Sequence, residues 1–289
     1  MTCKFKYIRP NSLFECLDIL AEKGSESSIL AGGTDLMISL RNAERNPKFV
    51  IDISRLPETR SLEQNGATIK VGPTLTYSEL INHGLIAKYF PALISAMSCV
   101  GSLQIRNVGT LGGNIANSSP AADSFPPMAI YDAEIMIQRS NSVRIEKLQK
   151  LIVGSYKNTL EPDELITSII LKPLDSHCKQ TYRRIGRRKS LSVARINAAV
   201  SGKLNDDGLL DDCRISVGSV APSPLRIRKV EEALQGERPE LKVFHEAGEM
   251  VAAQIIELVG VRHSTEYKKP AIAGLVLECL EDVFIGRGI

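Results

Sequence analysis

Two double-glycine segments are the parts of this sequence best suited to hold a charged ligand. The first is Ile29-Leu30-Ala31-Gly32-Gly33-Thr34-Asp35-Leu36, a short apolar run leading into two glycines, a hydroxyl and an acid. Glycine permits backbone conformations and close approaches closed to other residues, and successive amides after a strand can converge on an anion. Thr34 adds a side-chain donor. The second is Thr110-Leu111-Gly112-Gly113-Asn114, again a hydroxyl beside paired glycines, with Ser119-Pro120-Ala121-Ala122-Asp123 downstream. Neither follows the GxGxxG-plus-acid pattern of a Rossmann site, and neither carries the Lys-Ser/Thr pair of a P-loop. Two such segments predict a long dinucleotide held between two loops, with the amides at 32–33 and 112–113 closing on its pyrophosphate.

Other reactive side chains are scattered. Cysteines stand at 3, 16, 99, 178, 213 and 279, with no CxxC pair or cluster-ligand run, which denies the chain an iron–sulfur centre of its own. His83, His177, His245 and His263 lie far apart and read as ordinary surface or core histidines. No metal site and no catalytic nucleophile is predicted. Basic residues bunch at Arg183, Arg184, Arg187, Arg188 and Lys189. That bunch reads as a solvated face, as a site for an anionic cofactor, or as a surface for an acidic partner. With a net charge of only +3 and no interleaved aromatics, nucleic acid is not an expected partner.

The elements that must position these segments alternate between strand and helix. Ser12-Leu13-Phe14-Glu15 and Thr76-Tyr77-Ser78-Glu79 are capping boxes that open helices. Strands are expected at Ser28 to Ala31, Phe49 to Ile53 and Thr68 to Val71, the last after an Asn65-Gly66 turn. Pro91 suits the first turn of a helix through Cys99. Residues 101–127 are rich in Gly, Asn, Ser and Pro and read as a long irregular, functional segment. Further strands are expected at Ala133 to Arg139, Val143 to Ile145 and Leu165 to Leu171. The polar stretch Pro173 to Lys179 predicts a boundary near residue 175, dividing the chain into 1–175 and 176–289. A meander at Val200 to Asn205 and Cys213 to Val217 follows, then a helix from Leu241 to Leu258 and a last one from Ala271 to Asp282. Apolar residues make up 43% of the 289, without a run long enough to span a membrane and without a signal-peptide core. A cytoplasmic protein is the expectation.

Ala31-Gly32-Gly33-Thr34-Asp35-Leu36, together with Ile105-Arg106-Asn107-Val108-Gly109-Thr110-Leu111-Gly112-Gly113-Asn114, resembles the paired flavin motifs of the molybdenum hydroxylase FAD subunits. That family includes the FAD subunits or domains of xanthine dehydrogenase, nicotinate dehydrogenase and aerobic carbon monoxide dehydrogenase. Ser119 to Asp123 and the tail around Glu266-Tyr267-Lys268-Lys269 extend the resemblance to essentially the whole chain. It implies an α+β fold: a two-subdomain FAD domain of the vanillyl-alcohol-oxidase (PCMH) type, then a smaller domain of antiparallel sheet and helices. It implies that Ile29, Leu30, Ala31, Gly32, Gly33, Thr34, Asp35 and Leu36 wrap the FAD diphosphate, with Leu36 near the ring system. Thr110, Leu111, Gly112, Gly113 and Asn114 would hold the opposite side, and Asp123 would accept hydrogen bonds from the cofactor. Val100, Gly101, Lys157, Ile166 and Arg184 fall at further contact positions; some members carry an aromatic at the Val100 position, and members often have Lys at the Arg184 position.

The same resemblance implies electron transfer rather than substrate oxidation by this chain. Substrate would be hydroxylated on a molybdopterin-binding large subunit. Electrons would cross the [2Fe-2S] clusters of a small subunit and leave through FAD, usually to NAD⁺, in a heterotrimer. A self-sufficient FAD-dependent oxidase or dehydrogenase, and a non-catalytic assembly subunit, are the alternatives.

Overall fold

In the computed structural model, residues 4–188, 191–261 and 265–286 are described. The chain begins with strand β1 (Lys6–Ile8) and helix α1 (Leu13–Lys23), whose Ser12 hydroxyl accepts the Glu15 amide at 3.2 Å. The Glu15 carboxylate does not complete the expected box on Ser12; it accepts the Asn11 amide at 2.7 Å, one residue earlier. Strand β2 (Ser27–Leu30), helix α2 (Leu36–Arg41) and strand β3 (Phe49–Asp52) follow. Next come β4 (Leu62–Asn65) and β5 (Thr68–Val71), joined at Gly66, whose φ of 57° suits the Asn-Gly turn. Helix α3 (Tyr77–Ile81) opens on the second capping box as expected, and α4 (Gly84–Tyr89) and α5 (Pro91–Ser98) complete this stretch.

The segment expected to be irregular instead carries three short helices: α6 (Leu103–Arg106), α7 (Leu111–Asn117) and α8 (Phe125–Ile130). Ser102 and Thr110 cap the first two with their hydroxyls, and prolines sit in the first turn of the third. Local capping and proline placement outweighed a composition that reads as loop. Beyond it run β6 (Glu134–Arg139), β7 (Ser142–Lys147), α9 (Leu148–Leu151), β8 (Ile152–Gly154), β9 (Lys157–Asn158) and β10 (Leu165–Leu171). The last part comprises β11 (Lys179–Gly186), β12 (Ala194–Leu204), β13 (Leu210–Gly218) and β14 (Leu225–Arg226), then α10 (Arg228–Leu234), α11 (Leu241–Val259) and α12 (Thr265–Phe284). Helix α12 starts before Pro270 rather than after it. A proline removes its own amide donor and weakens a helix there without having to end it.

The described chain forms two compact units. The first takes the chain through His83, Gly101–Ser119 and Asp132–Pro173. It holds a parallel three-stranded sheet, β1-β3-β2, and an antiparallel five-stranded sheet, β4-β5-β10-β6-β7. Cys16, Leu17 and Leu20 of α1 pack with Ile51, Ile53 and Leu165, so one helix face seals β3 and β10 together.

The second unit takes Gly84–Val100, Pro120–Tyr131 and the chain from Leu174 onward. Its antiparallel sheet runs β11-β12-β13-β14. Period-two alternation sends Ile196, Ala198 and Val200 of β12, with Ile215 and Val217 of β13, into a core closed by Phe244, Val251 and Ile255 of α11 and by Val276 and Leu280 of α12. Gly248 lies where α11 crosses α12; a β-carbon there would stand 2.5 Å from the Ala273 carbonyl, so the helices approach too closely for any side chain. Helices α5 and α8 cover the other face of the sheet. This is the α+β architecture the sequence implied, a mixed first part followed by an antiparallel sheet with helices.

Candidate functional site

In the first unit, β2 runs parallel to β3 with Leu30 opposite Asp52, and the Leu30 carbonyl accepts the Ile53 amide at 2.9 Å. The chain then turns out of the sheet through Ala31 and the two glycines. A β-carbon on Gly32 would stand 2.0 Å from the Val108 carbonyl oxygen, so only glycine lets this turn close on the segment before the second motif. Gly33 has φ +72°, the left-handed region that favours glycine. Asp35 precedes α2 without capping it. Its carboxylate is engaged elsewhere: Oδ2 accepts the Thr34 hydroxyl at 3.1 Å and Oδ1 accepts Asn117 Nδ2 at 3.0 Å. Among the described residues, the amides of Gly32, Gly33, Thr34 and Asp35 have no hydrogen-bond acceptor. Four consecutive amides without an acceptor, in a turn where Gly33 has positive φ, are donors available to phosphate oxygens.

The second motif is built differently. Thr110 to Asn114 was expected to be a loop with open amides; it is the start of α7. The Thr110 hydroxyl accepts the Gly113 amide at 3.1 Å, the Pro73 carbonyl accepts the Gly112 amide at 2.9 Å, and the Thr110 carbonyl accepts the Asn114 amide at 3.0 Å. Those amides already have acceptors inside the protein, so they are not the open donors expected from the sequence. The reason is the cap, since a threonine hydroxyl in extended geometry starts a helix even over two glycines. Gly112 serves packing instead: a β-carbon there would stand 2.4 Å from Cβ of Pro73. The Gly113 face is the one turned toward the first motif, its virtual β-carbon lying 3.9 Å from Cβ of Ala31. The structure thus brings the two glycine motifs together, one as a loop and one as a helix.

The remaining predicted residues of this unit are dispersed around that pair. Ile29, Leu30, Ala31 and Leu36 are half-buried. Gly101 has φ +48°, and Ile166 is 5% exposed in β10, opposite Ile137 and just before a bulge. Lys157 is exposed on the β8–β9 hairpin. That hairpin is fastened to the C-terminal end of α7, where the Ser118 and Ala116 carbonyls accept the Tyr156 amide at 2.9 Å and Asn158 Nδ2 at 2.8 Å.

In the second unit, Val100 is half-buried and Asp123 and Arg184 form an ion pair. Arg184 Nη1 donates to Asp123 Oδ2 at 2.8 Å and to the Cys99 carbonyl at 3.2 Å, while Nη2 donates to the Ser192 carbonyl. Tyr182, which the sequence reading did not single out, donates its hydroxyl to Asp123 Oδ1 at 2.5 Å. Burial pushes the Asp123 carboxyl up, against the pull of the Tyr182 hydroxyl and the Arg184 cation. Tyr182 could have been found from strand alternation: two residues from Arg184 on one strand, it shares a face with it.

The same alternation splits the basic bunch. Arg183 turns to α12 and donates to Asp282 Oδ2 at 2.6 Å and Glu278 Oε2 at 3.1 Å. Arg187 is exposed and Arg188 donates to the Leu191 carbonyl, so the bunch is not one continuous basic face; Lys189 lies outside the described residues. Cys16, Cys213 and Cys279 are buried thiols, and Cys99 and Cys178 are partly so; Cys3 and His263 lie outside the described residues. Burial pushes the Cys178 thiol up to about 11. Among the described residues no three His, Cys, Asp or Glu side chains are grouped to hold a metal ion, and no helix is long and apolar enough to cross a membrane.

Comparison with known proteins gives a consistent picture. Residues 3–173 match the family described as FAD binding domain in molybdopterin dehydrogenase, and residues 180–283 match the CO dehydrogenase flavoprotein C-terminal domain. A nicotinate dehydrogenase FAD-subunit of Eubacterium barkeri is 30% identical over 283 residues, 96% of each chain. A xanthine dehydrogenase FAD-binding subunit of Escherichia coli O157:H7 is 28% identical over 98% of this chain and 97% of its own. Among solved structures, a carbon monoxide dehydrogenase of Hydrogenophaga pseudoflava that lacks the Mo-pyranopterin moiety matches with a TM-score of 0.90 at 25% identity, over 99% of both chains.

Proposed function

The chain belongs to the family of FAD-binding subunits of molybdenum hydroxylase complexes, and from that premise we propose that it takes electrons from the iron–sulfur clusters of a partner subunit and passes them through FAD to NAD⁺ or another acceptor. Its partners on this reading are a molybdopterin-binding large subunit and a [2Fe-2S] small subunit, in a xanthine dehydrogenase-like oxidoreductase. A division into a FAD-binding domain, 1–175, and a C-terminal domain, 176–289, goes with it.

The observation that carries the proposal is the run of four open amides at Gly32 to Asp35. They would bind the FAD diphosphate, with Ile29, Leu30, Ala31 and Leu36 supplying the walls. Thr110, Leu111, Gly112, Gly113 and Asn114 would add a helix face and the Asn114 carboxamide rather than a second set of amides. Ile166, Val100 and Gly101 would exclude water from the ring, Asp123 would accept hydrogen bonds, and Arg184 and Lys157 would supply positive charge. A bound isoalloxazine supplies the redox chemistry itself, collecting single electrons and delivering pairs. The protein's part is to bind it, orient it and set the charge around it.

The test is composition and reduction of the purified full chain. One FAD per chain, no stoichiometric iron, and bleaching of the flavin by NADH would support the reading. A well-folded chain that takes up no FAD would overturn it, and bound FAD that NADH leaves oxidised would remove NAD⁺ as the acceptor.

A further inference from the structure

We propose that Tyr182 is a positioning residue for the flavin: it locks the Asp123 carboxylate in place, holds it ionised, and so sets the pH at which the chain releases FAD. This rests on the FAD reading above. Tyr182 and Arg184 project from the same face of β11, opposite Ala199 and Asn197 of β12. Alanine opposite the tyrosine leaves room for the phenol ring, which is 8% exposed. The two residues take one carboxylate oxygen each, Oδ1 at 2.5 Å and Oδ2 at 2.8 Å. A carboxylate held at both oxygens cannot turn, and its remaining lone pairs are aimed in fixed directions.

The segment carrying Asp123 is itself tied to the sheet. The Ala122 carbonyl accepts Asn197 Nδ2 at 3.3 Å and the Pro120 carbonyl accepts the Ser219 amide at 3.1 Å. The groups that act on the carboxylate are therefore Tyr182 and Arg184 of β11 and Asn197 of β12, with Cys99 after α5 beside the tyrosine. Burial of the site works against the charge, and the two strong donors work for it. Phenylalanine would fill the same space, so the hydroxyl is the part of Tyr182 that acts. Without it the carboxylate takes up a proton at a higher pH, and a protonated Asp123 is a poorer acceptor for the cofactor.

The experiment is FAD titration of the full chain, followed by flavin fluorescence from about pH 4 to pH 8, for wild type, Y182F, D123N and the double variant, with thermal melts of each apoprotein. The inference predicts that Y182F melts close to wild type, binds FAD about tenfold more weakly at neutral pH, and has its acid midpoint raised by about one pH unit. D123N should lose the acid dependence, and adding Y182F to it should change nothing further. A Y182F midpoint equal to wild type, or a full additional effect in the double variant, overturns the inference. Should Y182F fail to fold, wild type and D123N decide: the same acid dependence in both overturns it. A wild type that binds no FAD at any pH overturns the flavin reading and this inference together, whereas FAD binding with an unmoved midpoint overturns the inference alone.

Discussion

The two glycine pairs of the first unit look alike in sequence and do opposite work. At Gly32-Gly33 the backbone leaves a strand, turns through a positive φ, and leaves four amides without acceptors among the described residues. At Gly112-Gly113 the backbone enters a capped helix, every amide is satisfied, and the glycine at 112 exists so that Pro73 can pack against it. One pair offers donors; the other offers proximity. The difference comes from what precedes each pair, a strand end in the first case and a capping threonine in the second. A glycine pair therefore identifies a close approach, and only its hydrogen-bond ledger tells whether a ligand is being approached.

Substitutions at three of these glycines should separate the roles. The largest effect is expected at Gly32→Ala, where the added carbon meets the Val108 backbone carbonyl and no side chain can move aside. We expect a loss of about 3 kcal/mol of stability and no measurable FAD binding, read by thermal melts and flavin fluorescence. A stable, FAD-binding G32A would break the account of that turn. Gly112→Ala should cost about 2 kcal/mol through the Pro73 contact. Gly113→Ala meets chiefly the Thr110 hydroxyl, at 2.8 Å, and the better helix propensity of alanine opposes that clash. Its melting point should stay near wild type, and equal destabilisation by G112A and G113A would contradict the distinction.

A smaller effect tests the scaffold beneath the first pair. Asp52 sits opposite Leu30, the last strand residue before the turn. Burial alone would raise its carboxyl, but hydrogen bonds from Tyr7, Ser54 and Arg9 outweigh burial and hold it at about 2. A depressed folded value means that the contribution is fully present above the ordinary carboxylate range and is lost as pH falls through about 2. Asp52→Asn should therefore lower stability at neutral pH by on the order of 1 kcal/mol, since Arg9 is partly exposed, and the gap to wild type should close in strong acid. A gap that persists unchanged at the acid end would show that Asp52 acts through packing and not through its charge. The second pair has no such dependence built in, because the Pro73 and Leu75 carbonyls that anchor it do not titrate.

Much of the fold was legible because its signals are local. Capping hydroxyls at Ser12 and Thr76, the Asn65-Gly66 turn and the mostly apolar run Leu165 to Leu171 each fix an element within a few residues. The first glycine motif was legible for the same reason, a strand ending on glycines with a hydroxyl and an acid. The helix at the second was missed because its glycine-rich composition outweighs its one local signal, the Thr110 hydroxyl that accepts the Gly113 amide, while the Pro73 carbonyl that accepts the Gly112 amide lies far away in sequence. Tyr182 was missed because its partner lies fifty-nine residues away at Asp123. The basic bunch divides because adjacent residues on a strand face opposite ways, which sends Arg183 to Asp282 and Arg184 to Asp123.

The most direct measurement is FAD titration into the nitrogen-15-labelled full chain, followed amide by amide. The account predicts saturable binding that moves the Gly32, Gly33, Thr34 and Asp35 amides far more than those of Gly112 and Gly113, with riboflavin, which has no phosphate, failing to reproduce the shifts. Binding that leaves residues 32–35 undisturbed, or that riboflavin matches in full, would contradict it.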